Sequence, residues 1–329
     1  MAELKQTVGK VRIEGLVVGF NSEDEKTFKT GTSKAGKEYK SATLVVKTND
    51  NNVIYDIGIY GQVKDTVKLY GKVNGEKQKI EVAFAERNNR PAGFTCFGFG
   101  TVRTGFEKDA NNKVIMKNYF NYDGAEIIAK SVDNDVSVWI DAAFNVENYV
   151  SNGEPQTRVK YNIEGIGLQK SPIDFTTEGF KEVASFEQEF VVLSTDINKE
   201  TKKVYVNGRI IGFDQTWKDL TFVVDGTKYE TLAQNVYKKL KFGDLLTVQG
   251  IIRNGTELVE VKEQALDWGG ETPRGQGKAN KNTIRELQIT QVIKHTAKVY
   301  KEDDFVVEEN PFKQEDDSPI SISDDELPW

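Results

Sequence analysis

Short runs of alternating apolar and polar residues fill most of the chain, and turns rich in glycine and asparagine separate them. Residues 11–20 form the first run, and Gly15 inside it is typical of a strand that bends sharply, as at a barrel corner. Six further strands are predicted, over residues 41–48, 53–60, 80–85, 94–102, 136–144 and 158–168, with a strong turn at 49–52 between the first two. A short helix is predicted over residues 125–130. The pattern predicts a fold built almost entirely from β-strands.

A second, more compact β unit is predicted after residue 189. Its predicted strands cover residues 204–213, 220–224, 228–232, 245–253, 257–262 and 284–289. A helix over about 234–240 follows the first three strands, and a loop rich in Gly, Lys and Asn at 269–281 precedes the last strand. Three strands, a helix and then the closing strands is the order of the OB-fold, a five-stranded Greek-key barrel.

An internal repeat supports two such units. Residues 10–20 align without a gap with residues 203–213, and Lys, Val, both Gly and Phe are identical. A second echo of the repeat is the similarity between residues 135–142, which begin at Asp135, and residues 244–251, which begin at Asp244. We therefore predict an all-β protein of tandem OB-folds, one over residues 1–178 with an insertion at about 62–123 and one over 183–300. The alternative is two unrelated β-sandwiches.

Composition excludes several classes of site. The chain has one cysteine, Cys96, and one histidine, His295, so an internal disulfide and a zinc site of the usual Cys/His kind are excluded. No metal site, catalytic residue or cofactor is predicted. The sequence shows no signal peptide and no run of 18 apolar residues, so we expect an intracellular protein with no membrane span.

Charge is concentrated at the C-terminal end. Residues 301–329 hold eleven acids and two bases, a net charge of −9 against −7 for the whole chain, which leaves +2 for residues 1–300. This acidic tail is predicted to be disordered. It ends in six residues that combine acids with an apolar anchor: Asp324, Asp325, Glu326, Leu327, Pro328 and Trp329. Such a tip suits an apolar pocket on a partner protein, where a cation pairs with the terminal carboxylate. The alternative is a plain solubilising tail.

The tip closely resembles the acidic tail of the single-stranded DNA-binding proteins of bacteria and phages. In that family the acids precede an apolar residue, a proline and a final Phe, whereas Trp329 stands here. The resemblance implies a protein that coats single-stranded DNA in replication, recombination or repair and recruits partner proteins through its tip. The resemblance implies no catalysis and no cofactor. It also implies that the protein acts in the cytoplasm of a bacterial or phage-infected cell. The common bacterial members of the family carry one OB-fold per chain and form tetramers, so two folds per chain predict a monomer or homodimer.

A groove for single strands needs cations that follow the phosphates and flat rings that stack on bases. In OB-folds the first hairpin loop, the loop between the last two strands and the face of strands two and three supply them. In the first unit the predicted binding residues are Lys26, Phe28, Lys29, Lys34, Lys37, Tyr39, Lys40 and Tyr60. In the second unit they are Arg209, Trp217, Lys218, Phe222 and Arg253. For Trp217, packing within its loop is an equal alternative.

The insertion also interleaves cations and aromatics, at Arg87, Arg90, Phe94, Phe97, Phe99 and Arg103. These residues either extend the groove or belong to a hairpin that packs on the barrel, and we favour the hairpin.

Three functional alternatives stay open. One is an OB-fold nuclease or other DNA-processing enzyme, and another is a β-protein that binds no nucleic acid. RNA is a third, because a stacking surface does not read the sugar.

Overall fold

The computed structural model describes residues 4–151, 153–212, 215–259 and 280–305. The first part of the chain contains the strands β1 (Gly9–Val18), β2 (Phe28–Thr32), β3 (Glu38–Asn49) and β4 (Asn52–Gln62). The predicted insertion contains β5 (Thr66–Val73), β6 (Glu76–Ala83), β7 (Thr101–Lys108) and β8 (Val114–Phe120). Helix α1 (Asn121–Ser131), β9 (Ser137–Ser151) and β10 (Glu154–Leu168) follow.

The remaining elements are β11 (Val183–Asn198), β12 (Lys203–Ile211), β13 (Trp217–Asp225), helix α2 (Glu230–Lys239), β14 (Leu245–Val259) and β15 (Asn280–Thr296). Thirteen of the fifteen strands belong to one hydrogen-bonded sheet, and β5 pairs only with β6. The prediction of an all-β fold is confirmed.

The first five-stranded barrel closes in the order β1-β3-β4-β10-β9-β1, and we call it barrel 1. All its neighbours are antiparallel except β4 and β10, which run parallel. Helix α1 precedes the fourth barrel strand, β9. These connections are those of an OB-fold. Alternation fixes the inner face of β1, where Val11, Ile13 and Val17 are buried. At Gly15 a side chain would lie 2.2 Å from the carbonyl oxygen of Lys47, so the bend in β1 requires glycine.

The second barrel, called barrel 2, closes in the same way, in the order β11-β12-β13-β15-β14-β11. Its first strand is β11, so the predicted strand at 204–213 is the second barrel strand rather than the first. The predicted strand at 228–232 is wrong, because the chain turns at Asp225, whose carboxylate accepts hydrogen bonds from the backbone and hydroxyl of Thr227. Helix α2 begins directly afterwards, at Glu230.

The strand positions also correct the internal repeat. Residues 10–20 include the first strand of barrel 1, whereas residues 203–213 include the second strand of barrel 2. The shared residues therefore reflect two strands with a similar bend and not equivalent positions. The second echo does align equivalent elements, since Asp135 and Asp244 both precede the fourth barrel strand, β9 or β14.

The two barrels are joined edge to edge. Residues Gly9 to Glu14 of β1 pair antiparallel with Val183 to Gln188 of β11. Across this seam one apolar core continues, with Phe186 in edge contact with Phe144 at 5.5 Å between ring centroids. Asn52 adds a polar clamp, since its buried side chain donates to the carbonyl of Ile252 and accepts from the backbone N–H of Asn254.

The insertion forms a small unit with its own core. Val67 and Leu69 of β5 pack with Phe84, Cys96 and Phe120. Strand β7 then joins barrel 1 by pairing parallel with β10. The predicted strand over 94–102 is wrong for residues 94–100, where only Thr95 makes an isolated bridge and the chain turns at Gly98 and Gly100, with φ of 91° and 79°.

Candidate nucleic-acid interface

The outer face of β3 and β4 carries two stacked tyrosines. Tyr39 and Tyr60 have ring centroids 5.4 Å apart and ring planes 30° apart. Tyr60 is 49% exposed, while its neighbour Ile59 points into the barrel. Burial and the adjacent Tyr39 raise the pKa of Tyr60 above its ordinary value, so the phenol is neutral at physiological pH. The exposed ring of Tyr60, stacked on the half-buried Tyr39, is a surface on which a base can stack.

A bulge places a third tyrosine on the same face. Tyr55 and Tyr60 are five residues apart in β4, so regular alternation would put them on opposite faces. The pairing of β4 with β3 shifts register by one residue between Leu44 and Val46, and Asp56 there has φ of 62°. Because of this extra residue both tyrosines face outward, and Tyr55 is 43% exposed.

Barrel 2 contributes a cation beside this third ring. The guanidinium of Arg285, on β15, lies 5.7 Å from the ring centroid of Tyr55. Sequence reasoning missed both residues. The bulge that exposes Tyr55 has no clear sequence signal, and Arg285 comes from the other barrel.

The first hairpin loop of barrel 1 brings lysines to the edge of the tyrosine face. Strand β2 pairs with β3 so that Gly31 lies opposite Tyr39. A side chain at position 31 would lie 3.0 Å from the Tyr39 hydroxyl oxygen, so glycine lets the ring lie across β2. The predicted lysines of this hairpin are exposed: Lys26, Lys29, Lys34 and Lys37. Of these, Lys37 lies 3.4 Å from the Asp65 carboxylate.

Two predicted members of this face have structural roles. Phe28 packs against the barrel core. The amine of Lys40 pairs with Glu126 of α1 and lies 4.5 Å from the ring centroid of Tyr122. The ion pairs with Lys130 and Lys40 lower the pKa of Glu126 to about 2, so its charge persists. Lys40 is therefore held against the helix and is less available to a phosphate than its exposed neighbours.

In barrel 2, two predicted aromatic residues are packing residues. Phe222 is fully buried and stacks on Phe190 at 4.4 Å, so its prediction as a binding residue is wrong; it lies on the inner face of β13. Trp217 is half-buried and meets Phe305 edge-on at 5.6 Å. Phe305 belongs to a short 3-10 helix, Glu302–Phe305. The tail was predicted to be disordered from residue 301, so this prediction is wrong for the residues of that helix.

The predicted cations of barrel 2 differ in how exposed they are to a phosphate of a bound strand. Arg209 donates two hydrogen bonds to Asp219, at 2.7 and 2.8 Å, and lies over Trp217 and Phe305. Lys218 is exposed, and Arg253 is half-buried on β14. The loop at 269–279 and the tip residues 324–329 lie outside the described residues. On barrel 1 the structure thus brings Tyr39 and Tyr60 together on an outer strand face, whereas on barrel 2 Arg209 and Trp217 meet in a packed cluster with Phe305.

Most cations and aromatics of the insertion also have structural partners. Arg87 donates to both carboxylate oxygens of Asp123, at 2.8 and 2.7 Å, and Arg90 donates to the carbonyls of Arg87 and Asn118. Phe94 is partly buried in the core of the insertion. Arg103 lies on another face.

That other face surrounds Trp139 of β9. The guanidinium groups of Arg12 and Arg103 lie 5.0 and 5.9 Å from the Trp139 ring centroid, and both pair with Asp141. Arg12 also pairs with Glu14, so two carboxylates balance the two cations and this face is neutralised.

Comparison with known proteins gives a family. The family model described as YorF matches residues 8–318, so the chain belongs to the YorF family. No curated protein matches the chain. Among solved structures, the wild-type single-stranded DNA-binding protein of Thermus aquaticus has 9% identity and a TM-score of 0.39, covering 88% of this chain and 93% of that one. A deletion mutant of the same protein has 8% identity and a TM-score of 0.38, with 87% and 94% covered. At these TM-scores the likeness indicates neither a shared site nor a shared ligand. Among the described residues, no helix is long and apolar enough to cross a membrane.

Proposed function

We propose that this protein binds single-stranded DNA, with the tyrosine face of barrel 1 as its principal contact. The observation that carries the proposal is the Tyr39–Tyr60 stack, in which Tyr60 is exposed, beside the hairpin loop that holds Lys26, Lys29 and Lys34. Rings on the strand face stack on bases, and the lysines follow the phosphates. This arrangement does not recognise a particular base, so we expect little sequence preference.

The broader role rests on the sequence of the tip. We propose that the protein coats single strands during replication, recombination or repair, and that Leu327, Pro328 and Trp329 recruit partner enzymes. Binding is its whole activity in this proposal, with no catalysis and no cofactor. We further propose that it acts as a monomer or homodimer in the cytoplasm of a bacterial or phage-infected cell.

The test measures the binding of labelled oligo(dT), duplex DNA and RNA by fluorescence anisotropy at several salt concentrations. We expect preference for the single strand and a steep loss of affinity with salt, since phosphate contacts release counterions. Tyr39→Ala combined with Tyr60→Ala should weaken oligo(dT) binding by about five-fold or more per ring that stacks on a base.

The matched control is Tyr237→Ala, which removes a tyrosine of similar exposure from α2 of barrel 2. It should bind like the wild type. Equal affinity for duplex and single strand, or equal losses in the two variants, would contradict the proposal. A gel of the oligonucleotide after incubation with Mg²⁺ checks that the DNA stays intact.

A further inference from the structure

The described part of the chain leaves two phenylalanines of the insertion exposed. Phe97 is 71% exposed and Phe99 is fully exposed, at 102%. Between and after them, Gly98 and Gly100 have positive φ, a conformation that suits glycine and turns each ring outward. Apolar rings of this size on a surface commonly mark an interaction site. We call residues 97–100 the aromatic tip.

The aromatic tip is held at both ends. Before it, Thr95 exchanges two backbone hydrogen bonds of 2.8 Å with Tyr70 of β5, and Cys96 is fully buried in the core of the insertion. After it, Thr101 donates to the carbonyl of Gly98 through its backbone N–H at 3.2 Å and its hydroxyl at 2.6 Å. The turn is therefore formed in advance, which lowers the conformational entropy lost on binding.

One residue links the aromatic tip to the tyrosine face. Asn121, the first residue of α1, donates its backbone N–H to Gly100 at 2.9 Å and its side-chain amide to the carbonyl of Tyr60 at 3.3 Å. The backbone of Tyr60 at the end of β4 and the backbone of Gly100 in the aromatic tip therefore lie on either side of one residue, so the two surfaces are neighbours.

Lysine side chains lie on the insertion that carries the aromatic tip. The amine of Lys64 lies 3.8 Å from the place that a Cβ on Gly100 would occupy. Strands β5 and β6 add four exposed lysines: Lys68, Lys72, Lys77 and Lys79. Within the described part of the chain, none of these four has a carboxylate within 4.0 Å. Phosphates are thus better matched to this surface than an uncharged partner is.

We propose that Phe97 and Phe99 stack on unpaired bases of the same strand as it leaves the Tyr39–Tyr60 pair. The inference rests on the proposed function and extends it, because the insertion becomes a second stacking site with its own lysines. Bound strands would contact barrel 1 and then the aromatic tip, so the insertion lengthens the stretch of DNA that one chain covers.

The test compares the double variant F97A/F99A with the wild type on oligo(dT) of increasing length. Short oligonucleotides that reach only the tyrosine face should bind both proteins equally. On longer ones the variant should lose about five-fold or more per stacking ring, and its affinity should stop rising at a shorter length. Both side chains are exposed, so the thermal unfolding midpoint should not change.

A second variant separates stacking from general apolar contact. F97L/F99L keeps apolar side chains of similar size but removes the flat rings, so it should be as weak as F97A/F99A. Wild-type affinity in F97L/F99L would overturn base stacking. Wild-type affinity and length dependence in F97A/F99A, with binding lost in Y39A/Y60A, would overturn the inference alone. A wild-type protein that binds no oligo(dT) would overturn the proposed function and the inference with it.

Discussion

Barrel 1 and barrel 2 have the same strand connections but opposite loop lengths. Between its first two strands barrel 1 has residues 19–37, which include β2, whereas barrel 2 has only residues 199–202. Between the last two strands barrel 1 turns within residues 152–153, whereas barrel 2 has residues 260–279. The OB-fold fixes where these two loops leave the barrel, and each barrel has lengthened a different one.

The strand faces differ as well. On β3 and β4 barrel 1 shows a tyrosine stack, while on β12 and β13 barrel 2 shows Asn207, which bonds with Ser194 and Thr221, and the paired Arg209. The aromatic residues of β13 are used for packing instead. The same fold therefore carries a tyrosine stack on the outer face of one barrel and packed aromatic residues on the other, and the side chains decide which.

The largest expected effect tests the difference between the aromatic residues of the two barrels. Phe222→Ala in barrel 2 should lower the free energy of unfolding by about 3–5 kcal/mol, because it leaves a cavity against Phe190. Tyr60→Ala in barrel 1 should change stability by about 0.5 kcal/mol or less, since the ring is half exposed. Urea unfolding of both variants checks this. A stable Phe222→Ala protein that has lost DNA binding would reverse the comparison.

Local pattern was enough to predict the strands of barrel 1. Alternation with a strong turn at 49–52 predicts the β3–β4 hairpin, and Tyr60 follows from the face of that hairpin. Tyr39 was predicted as part of the first loop, whereas the structure places it on β3. Barrel 2 was harder, because a short apolar run does not show which of its residues point inward. In the structure Leu220, Phe222 and Val224 alternate on the inner face of β13, so Phe222 is a packing residue.

The aromatic tip shows a different limit. Phe94, Phe97 and Phe99 lie in one short aromatic and glycine-rich run whose sequence does not distinguish them, yet Phe94 is partly buried and the other two are exposed. Their difference depends on the tertiary pairing of Thr95 with Tyr70 and on the two positive-φ glycines. The pairing joins residues 25 positions apart, and no short-range pattern encodes it.

A smaller effect is expected at Trp217, where packing and base stacking make opposite predictions. Trp217→Ala removes the edge contact with Phe305 and the stack under Arg209, so it should lower the free energy of unfolding by about 1–3 kcal/mol. Affinity for oligo(dT) at a temperature where the variant is folded should stay at the wild-type value. Lys218→Ala, an exposed neighbour, serves as the stability control. Lost affinity with unchanged stability would restore Trp217 to the interface and make barrel 2 resemble barrel 1.

The smallest expected effect concerns Glu126, which holds Lys40 away from the tyrosine face. Its carboxylate accepts from Lys130 at 2.5 Å and pairs with Lys40, and these contacts lower its pKa to about 2. The folded pKa lies below the value of about 4.3 expected for an unfolded chain. The carboxylate therefore stabilises the fold above about pH 4.3, and this contribution disappears as the pH falls through about 2.

Glu126→Gln should thus lower the free energy of unfolding by about 1 kcal/mol or less at pH 7, since the side chain is 34% exposed and solvent screens its ion pairs. The difference from the wild type should shrink as the pH falls from 4.3 toward 2, which urea unfolding at several pH values measures. Glu25→Gln, in the exposed first loop, is the control and should show no such trend. Glu126→Gln also frees the Lys40 amine, so the affinity of this variant for oligo(dT) at low salt should rise slightly. A fall in affinity instead would show that Lys40 contributes to barrel 1 only from its place beside α1.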